Sequence, residues 1–282
     1  MRALAAVADL VLPAECAGCG RGRVPLRYGV CDACAGELEG LTPHAVRPDP
    51  APAGLPPCAA LGGYAGVLRE VLLGYKERGR HGLAAPLGLL LADVVATAAT
   101  ATLGGNPNRN SGQAPPWSTR LLPGSDGDRA GNDGKGPFLA RAARGVVLVP
   151  VPDTARAARA RHGDHVWRLA RHAAAGLRRA GWPAEVMRPV RALPRPDSAE
   201  LDAVARAAAA AAGFRLRPGR VAAVRRAATG RTVVLVDDIV TTGATLAAIA
   251  GLLSAAGVPV DGAAVLGATQ KRRRDPRNRY AV

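Results

Sequence analysis

Between Val233 and Thr245 the chain reads VVLVDDIVTTGAT, the stretch that most restricts what it can fold into. Four consecutive apolar and mostly β-branched residues suit a short strand buried on both faces, the environment of a parallel sheet. Asp237 and Asp238 follow, which puts them beyond the carboxyl end of a 233–236 strand, where open parallel sheets receive ligands. Thr241, Thr242, Gly243, Ala244 and Thr245 then offer hydroxyls and a glycine that permits close backbone approach. A helix is expected next, and its first N–H groups favour an anion. A carboxylate pair beside such a loop suits a sugar phosphate, with the acids accepting from ribose hydroxyls and the loop holding the phosphate. The alternative is an ordinary strand followed by a Thr-rich helix cap.

The same alternation runs through most of the chain. VVLVPVP at 146–152 predicts a second strand, with a turn at Pro152 and Asp153. A helix should follow, with Val166, Leu169, Ala173 and Leu177 on one face, and then a strand over 184–190. Upstream, Leu68, Val71, Leu72 and Tyr75 recur at helical spacing before Gly79, and a second helix is expected over 83–100. That second stretch is apolar, but Pro86, Asp93 and its Ala and Thr content suit a packed helix better than a membrane span. Downstream, the Ala-rich residues 199–213 predict a helix, Leu246, Ile249, Leu252 and Leu253 another, and 263–266 a last strand. Strands alternating with helices define an α/β fold with a mostly parallel sheet flanked by helices. Residues 101–136, rich in Gly, Asn, Pro, Ser and Asp, read as a disordered insertion, and KRRRDPRNR within 271–282 as a basic tail.

Four of the five cysteines form two Cys-x-x-Cys pairs, Cys16 with Cys19 and Cys31 with Cys34. This spacing suits four thiolates around a structural zinc, with redox dithiols as the alternative. Cys58 reads as a small core residue and His44 as a loop residue, while His162 and His165 read as exposed or capping residues in an Arg-rich helix start. No Ser-His-Asp set is identifiable. Paired free thiols fit a reducing cytoplasm. Arg2 and the apolar run after it faintly resemble a signal peptide, but Asp9 interrupts the run.

The net charge of +16 favours acidic partners such as phosphates, nucleic acid or anionic membranes, although Arg is abundant throughout and part of this charge is compositional. At 3% aromatics, the chain lacks broad platforms for stacking bases, which argues against a sequence-reading nucleic-acid module.

The segment VVLVDDIVTTGAT resembles the binding signature of type I phosphoribosyltransferases. With the four cysteines, LLGYKERG at 72–79, LVPVPDTARAARARHGDHVWRLAR at 148–171 and AGF at 212–214, the whole is most similar to the ComF family. Those are phosphoribosyltransferase-like proteins with an N-terminal four-cysteine element and an association with competence for DNA uptake. The resemblance implies a type I phosphoribosyltransferase fold over 59–100 and 137–270, behind a zinc element with a leading short helix over 1–45. It implies binding of 5-phosphoribosyl diphosphate with magnesium: Asp237 and Asp238 on the ribose, Thr241 to Thr245 on the 5′-phosphate, and Asp153, Thr154, Ala155 and Arg156 on the diphosphate. Arg159, Arg161 and Lys76 stand nearby as further candidate charges. Ser198 and Ala209 replace the Gln and Asn that family often shows, a departure that bears on the acceptor. The alternative is a non-catalytic accessory protein that keeps the fold as a ligand sensor and contacts DNA through the zinc element and the basic tail.

Overall fold

The β-branched runs become the middle of a sheet, and everything else is arranged to cover them. A computed structural model describes residues 15–101, 145–161, 163–194 and 212–269. The expected leading helix, nearly all of the expected insertion and of the Ala-rich helix, His162, Ser198, Ala209 and the basic tail lie outside the described residues.

In chain order the elements are α1 (Asp32–Glu39), β1 (His44–Val46), β2 (Cys58–Gly63), α2 (Gly66–Lys76) and a 3-10 turn (His81–Leu83) leading into α3 (Ala84–Ala101). Then come β3 (Val146–Pro150), α4 (Ala155–Ala160), α5 (His165–Arg179), β4 (Ala184–Val186), β5 (Val190–Ala192) and β6 (Phe214–Leu216). The described chain ends with α6 (Pro218–Ala227), β7 (Thr232–Val240), α7 (Ala244–Ala255) and β8 (Gly262–Ala268). The main sheet has the order β1-β2-β8-β7-β3-β4 and is parallel except for β1, which is antiparallel to β2. The expected mixed α/β architecture with a mostly parallel sheet is therefore present.

Three expectations change in detail. β7 does not stop at Val236: Ile239 and Val240 pair with Gly267 and Ala268 of β8, so the ladder runs on and the two acids sit inside the strand. The single strand expected over 184–190 is two, because Pro189 has no N–H to give a ladder; β4 stays in the main sheet, whereas β5 pairs antiparallel with β6. The helix after β3 is also divided. Gly163 turns the chain with φ 129°, and Asp164 caps α5 by accepting from Trp167 N at 2.9 Å.

Side-chain alternation gives the sheet two apolar faces. Leu148, Val234, Val236 and Leu266 share one core with α2, α3 and α5. Val149, Val233, Leu235 and Val265 share the other with Leu246, Ile249 and Leu253 of α7 and Val221 and Val224 of α6. The segment containing α3 is apolar and long enough to cross a membrane, with a mean hydropathy of 1.8, but 72% of it is buried inside the fold and it serves as a core helix. It lies close against α5, where Gly88 faces Leu169 and His172, and Gly176 faces Leu89 and Ala92. A Cβ at Gly88 would stand 2.3 Å from His172 Cβ and 3.0 Å from Leu169 O. Gly88→Ala should force the helices apart and destabilise the fold by about 1–3 kcal/mol, read from denaturant midpoints.

Candidate functional site

The chain leaves β3 toward β4 through helices on one face, and leaves β7 toward β8 through α7 on the other. Neighbouring parallel strands whose connections diverge in this way open a crevice at their carboxyl ends. A cleft of about 380 Å³ lies there. Asp237, Asp238, Thr241 and Thr245 line it from the β7 side, Asp153 and Thr154 from the turn after β3, Lys76 from the end of α2 and His165 from the start of α5.

Other sequence candidates stand behind these. Thr242 is exposed, with its hydroxyl 3.4 Å from the Ala244 amide as acceptor. Gly243 is buried with φ 77°, and a Cβ there would meet Leu55 Cδ1 at 2.9 Å, so the loop's path depends on glycine at this position. Ala244 opens α7 behind it. Ala155 and Arg156 are exposed in the first turn of α4, where Thr154 is the cap, accepting from Ala157 N at 3.2 Å. The structure thus brings the acid pair, two threonines of the loop and the first two residues of the 153–156 turn to one cleft.

His165 differs from its sequence expectation. It is buried, 4% exposed, between two carboxylates. Its Nδ1 lies 2.6 Å from Asp153 Oδ2 and its Nε2 3.0 Å from Asp238 Oδ2, while its backbone N donates to Asp153 Oδ2 at 3.2 Å. Lys76 Nζ also reaches Asp238 Oδ2, at 2.7 Å. Tyr75 OH donates to the His165 carbonyl at 2.8 Å. Burial opposes charge on the ring, but the hydrogen bonds to Asp153 and Asp238 outweigh it and hold the imidazole pKa up to about 9. Burial likewise opposes charge on Asp238, yet His165 and Lys76 together hold its carboxyl well below the ordinary range.

Asp237 behaves in the opposite way. It is only half-buried and faces the cleft, and its Oδ1 accepts from the Asp238 amide at 2.9 Å. Burial and the neighbouring Asp238 charge push its carboxyl well above the usual value. Two adjacent acids are thus driven in opposite directions by what each touches.

The four cysteines converge in a second cluster, with their sulfurs all within 4.8 Å of one another and Cys19 Sγ 3.8 Å from Cys31 Sγ. A tetrahedral zinc with sulfurs at about 2.3 Å sets them about 3.8 Å apart, so the cluster can bind zinc. Backbone amides of Gly18 and Cys31 point at Cys16 Sγ, at 3.4 and 3.2 Å. Burial opposes a thiolate there, but these groups and that of Cys19 hold Cys16 down to about 6. Cys58, by contrast, is a buried core thiol, pushed up by burial to about 11.

The model of the phosphoribosyl transferase domain family matches residues 217–282. That span contains α6, β7 with its acid pair, the 241–245 loop, α7 and β8. No curated protein matches the chain. The part of the chain that supplies the acids and the loop of the cleft is therefore similar to a phosphoribosyl transferase domain.

Proposed function

We propose that the cleft binds 5-phosphoribosyl diphosphate and that the protein transfers its phosphoribosyl group to an acceptor. The observation that carries this reading is the meeting of an acid-bearing strand, the loop at the start of α7 and the turn after β3 around one cleft at a sheet switch point. The 5′-phosphate would lie against Thr241 and Thr245, where the first amides of α7 add an attractive partial charge. The ribose hydroxyls would meet the acid-bearing end of β7, and the diphosphate would lie toward Asp153 to Arg156. Held in this way, the anomeric carbon is open to attack while the diphosphate departs, and the chain's contribution is positional and electrostatic.

Magnesium is bound in such sites through one or two carboxylates and the ligand's own phosphates, and the cleft-facing Asp237 suits that donor set. When bound, the ion would neutralise charge on the leaving diphosphate. A four-cysteine cluster in the same chain as a transferase-type cleft is the pairing that the ComF resemblance implies. We therefore extend the reading to a ComF-type protein of the cytoplasm with a structural zinc over 1–45, a transferase body over 59–100 and 137–270, and a link to DNA uptake.

The test is calorimetric titration of the full chain with 5-phosphoribosyl diphosphate and magnesium. The wild type should bind, and Thr245→Val, which removes one hydroxyl from the cleft at nearly constant volume, should weaken binding about tenfold. Undiminished affinity in the variant would remove the loop from phosphate binding. A folded wild type that takes up no ligand would defeat the proposal.

A further inference from the structure

The adjacent acids of β7 point to opposite faces of the sheet, and their partners differ accordingly. Asp238 is buried and bonded to both Lys76 and His165, whereas Asp237 opens into the cleft. His165 joins Asp238 to Asp153 across its ring, and so ties the turn after β3 to the middle of β7. We propose that the two acids divide their work: Asp237 meets the ligand's hydroxyls, while Asp238 anchors His165, a positioning residue that clasps the Asp153 turn against β7. This rests on the ligand reading above, and it assigns to His165 a role that neither the signature segment nor the family match contains.

The geometry supports a ring protonated on both nitrogens. Each nitrogen faces a carboxylate oxygen within 3.0 Å, and only N–H groups on both sides satisfy the pair. The surroundings of the ring are mixed in charge. Tyr75 of α2 meets the ring edge-on and Lys76 of α2 shares Asp238 Oδ2 with it; Asp237 and Asp238 face it from β7 and Asp153 from the turn, with Asp164 next to it in the chain. Arg161 of the α4 end touches Asp153 at 3.6 Å and Glu77 at 3.0 Å, which places a second cation beside the Asp153 carboxylate. A histidine whose folded pKa lies above its ordinary 6.5 stabilises the fold fully below that value and loses its contribution as pH rises through about 9. The clasp is closed at neutral pH and should loosen in mildly alkaline solution.

The experiment uses the full chain with 15N-labelled histidine, the His165 signals being assigned by their loss in His165→Gln. At neutral pH both ring nitrogens should be protonated, with a titration near 9. Asp153→Asn, which keeps the shape and removes one charge, should move that titration down toward the ordinary value. It should also weaken 5-phosphoribosyl diphosphate binding about tenfold or more, with the pH at which affinity falls moving down in step. A merely structural residue would lower the melting temperature without moving that pH. A singly protonated ring at neutral pH, or an Asp153→Asn variant with altered ring titration but wild-type affinity and pH profile, would overturn the clasp. A wild type that shows the doubly protonated ring but binds no ligand refutes the ligand and the role of Asp237, and leaves the clasp standing.

Discussion

Removing zinc from the Cys16, Cys19, Cys31 and Cys34 cluster will lower the melting temperature of the whole described fold, not just of the N-terminal element. Cys16, Ala17, Cys31, Cys34, Ala35 and Leu38 belong to the same buried core as Leu68, Val71 and Tyr75 of α2. The contact is close: a Cβ on Gly18 would stand 2.8 Å from Cys34 Sγ and 2.9 Å from Val67 Cγ1. Without the ion, three buried thiols and the exposed Cys19 face one another with little beyond the amide contacts to Cys16 to hold them, and the 16–30 loop has little regular structure of its own. Metal binding contributes on the order of 10 kcal/mol to small structural zinc sites. A loss of about 5 kcal/mol here corresponds to a drop of roughly 10–20 °C for a chain of this size. Thermal unfolding with and without a chelator, with released zinc quantified, measures it, and Cys16→Ser should reproduce the loss. Superimposable melts would show that the cluster holds no structural metal.

Asp237→Asn should separate function from stability in the opposite sense. The native fold raises this carboxyl's pKa, so the folded state disfavours its charge, and the group costs stability at every pH above its ordinary 3.8. Replacing it with a neutral isostere relieves repulsion from Asp238, and the melting temperature should hold or rise. Ligand affinity should fall about a hundredfold, because one oxygen that accepts from a ribose hydroxyl becomes an NH2 that cannot accept, and the side chain can no longer ionise when ligand and magnesium bind. Calorimetry and a thermal melt on one preparation read both. A variant that binds as the wild type does would move the ribose contact to another group, and one that fails to fold would contradict the opposite placement of the two acids.

The central strands were legible because their signal is local. VVLV at 233–236 and VVLVPV at 146–151 are mostly β-branched, and they lie in or largely within the neighbouring strands β7 and β3. β2 carries no such local signal: it reads CAALGG, with neither β-branching nor alternation, and only its place between β1 and β8 makes it a strand. The acid pair and the threonine loop were visible for the same reason as β7: strand, acids and helix start are contiguous. His165 was not visible. It lies 73 residues from Asp238 and 12 from Asp153, and the three meet only because β3 and β7 are adjacent in the sheet. In a run so rich in arginine, a solvated histidine was the ordinary expectation. Lys76 was ambiguous for a similar reason, since its partner Asp238 belongs to a distant strand.

The stretch that matches the family, 217–282, is continuous in sequence but is not a unit that could be cut out. β8 is covered on one side by β7 and on the other by β2, which lies about two hundred residues earlier in the chain. Leu55, from the connector before β2, closes over Gly243, and Lys76 supplies a cation to Asp238. A fragment beginning near Arg217 would leave β8 as a bare apolar edge, the kind of surface that recruits a second chain. The residues up to Lys76 therefore have to be made, and kept, for the acid-bearing strands to stay covered.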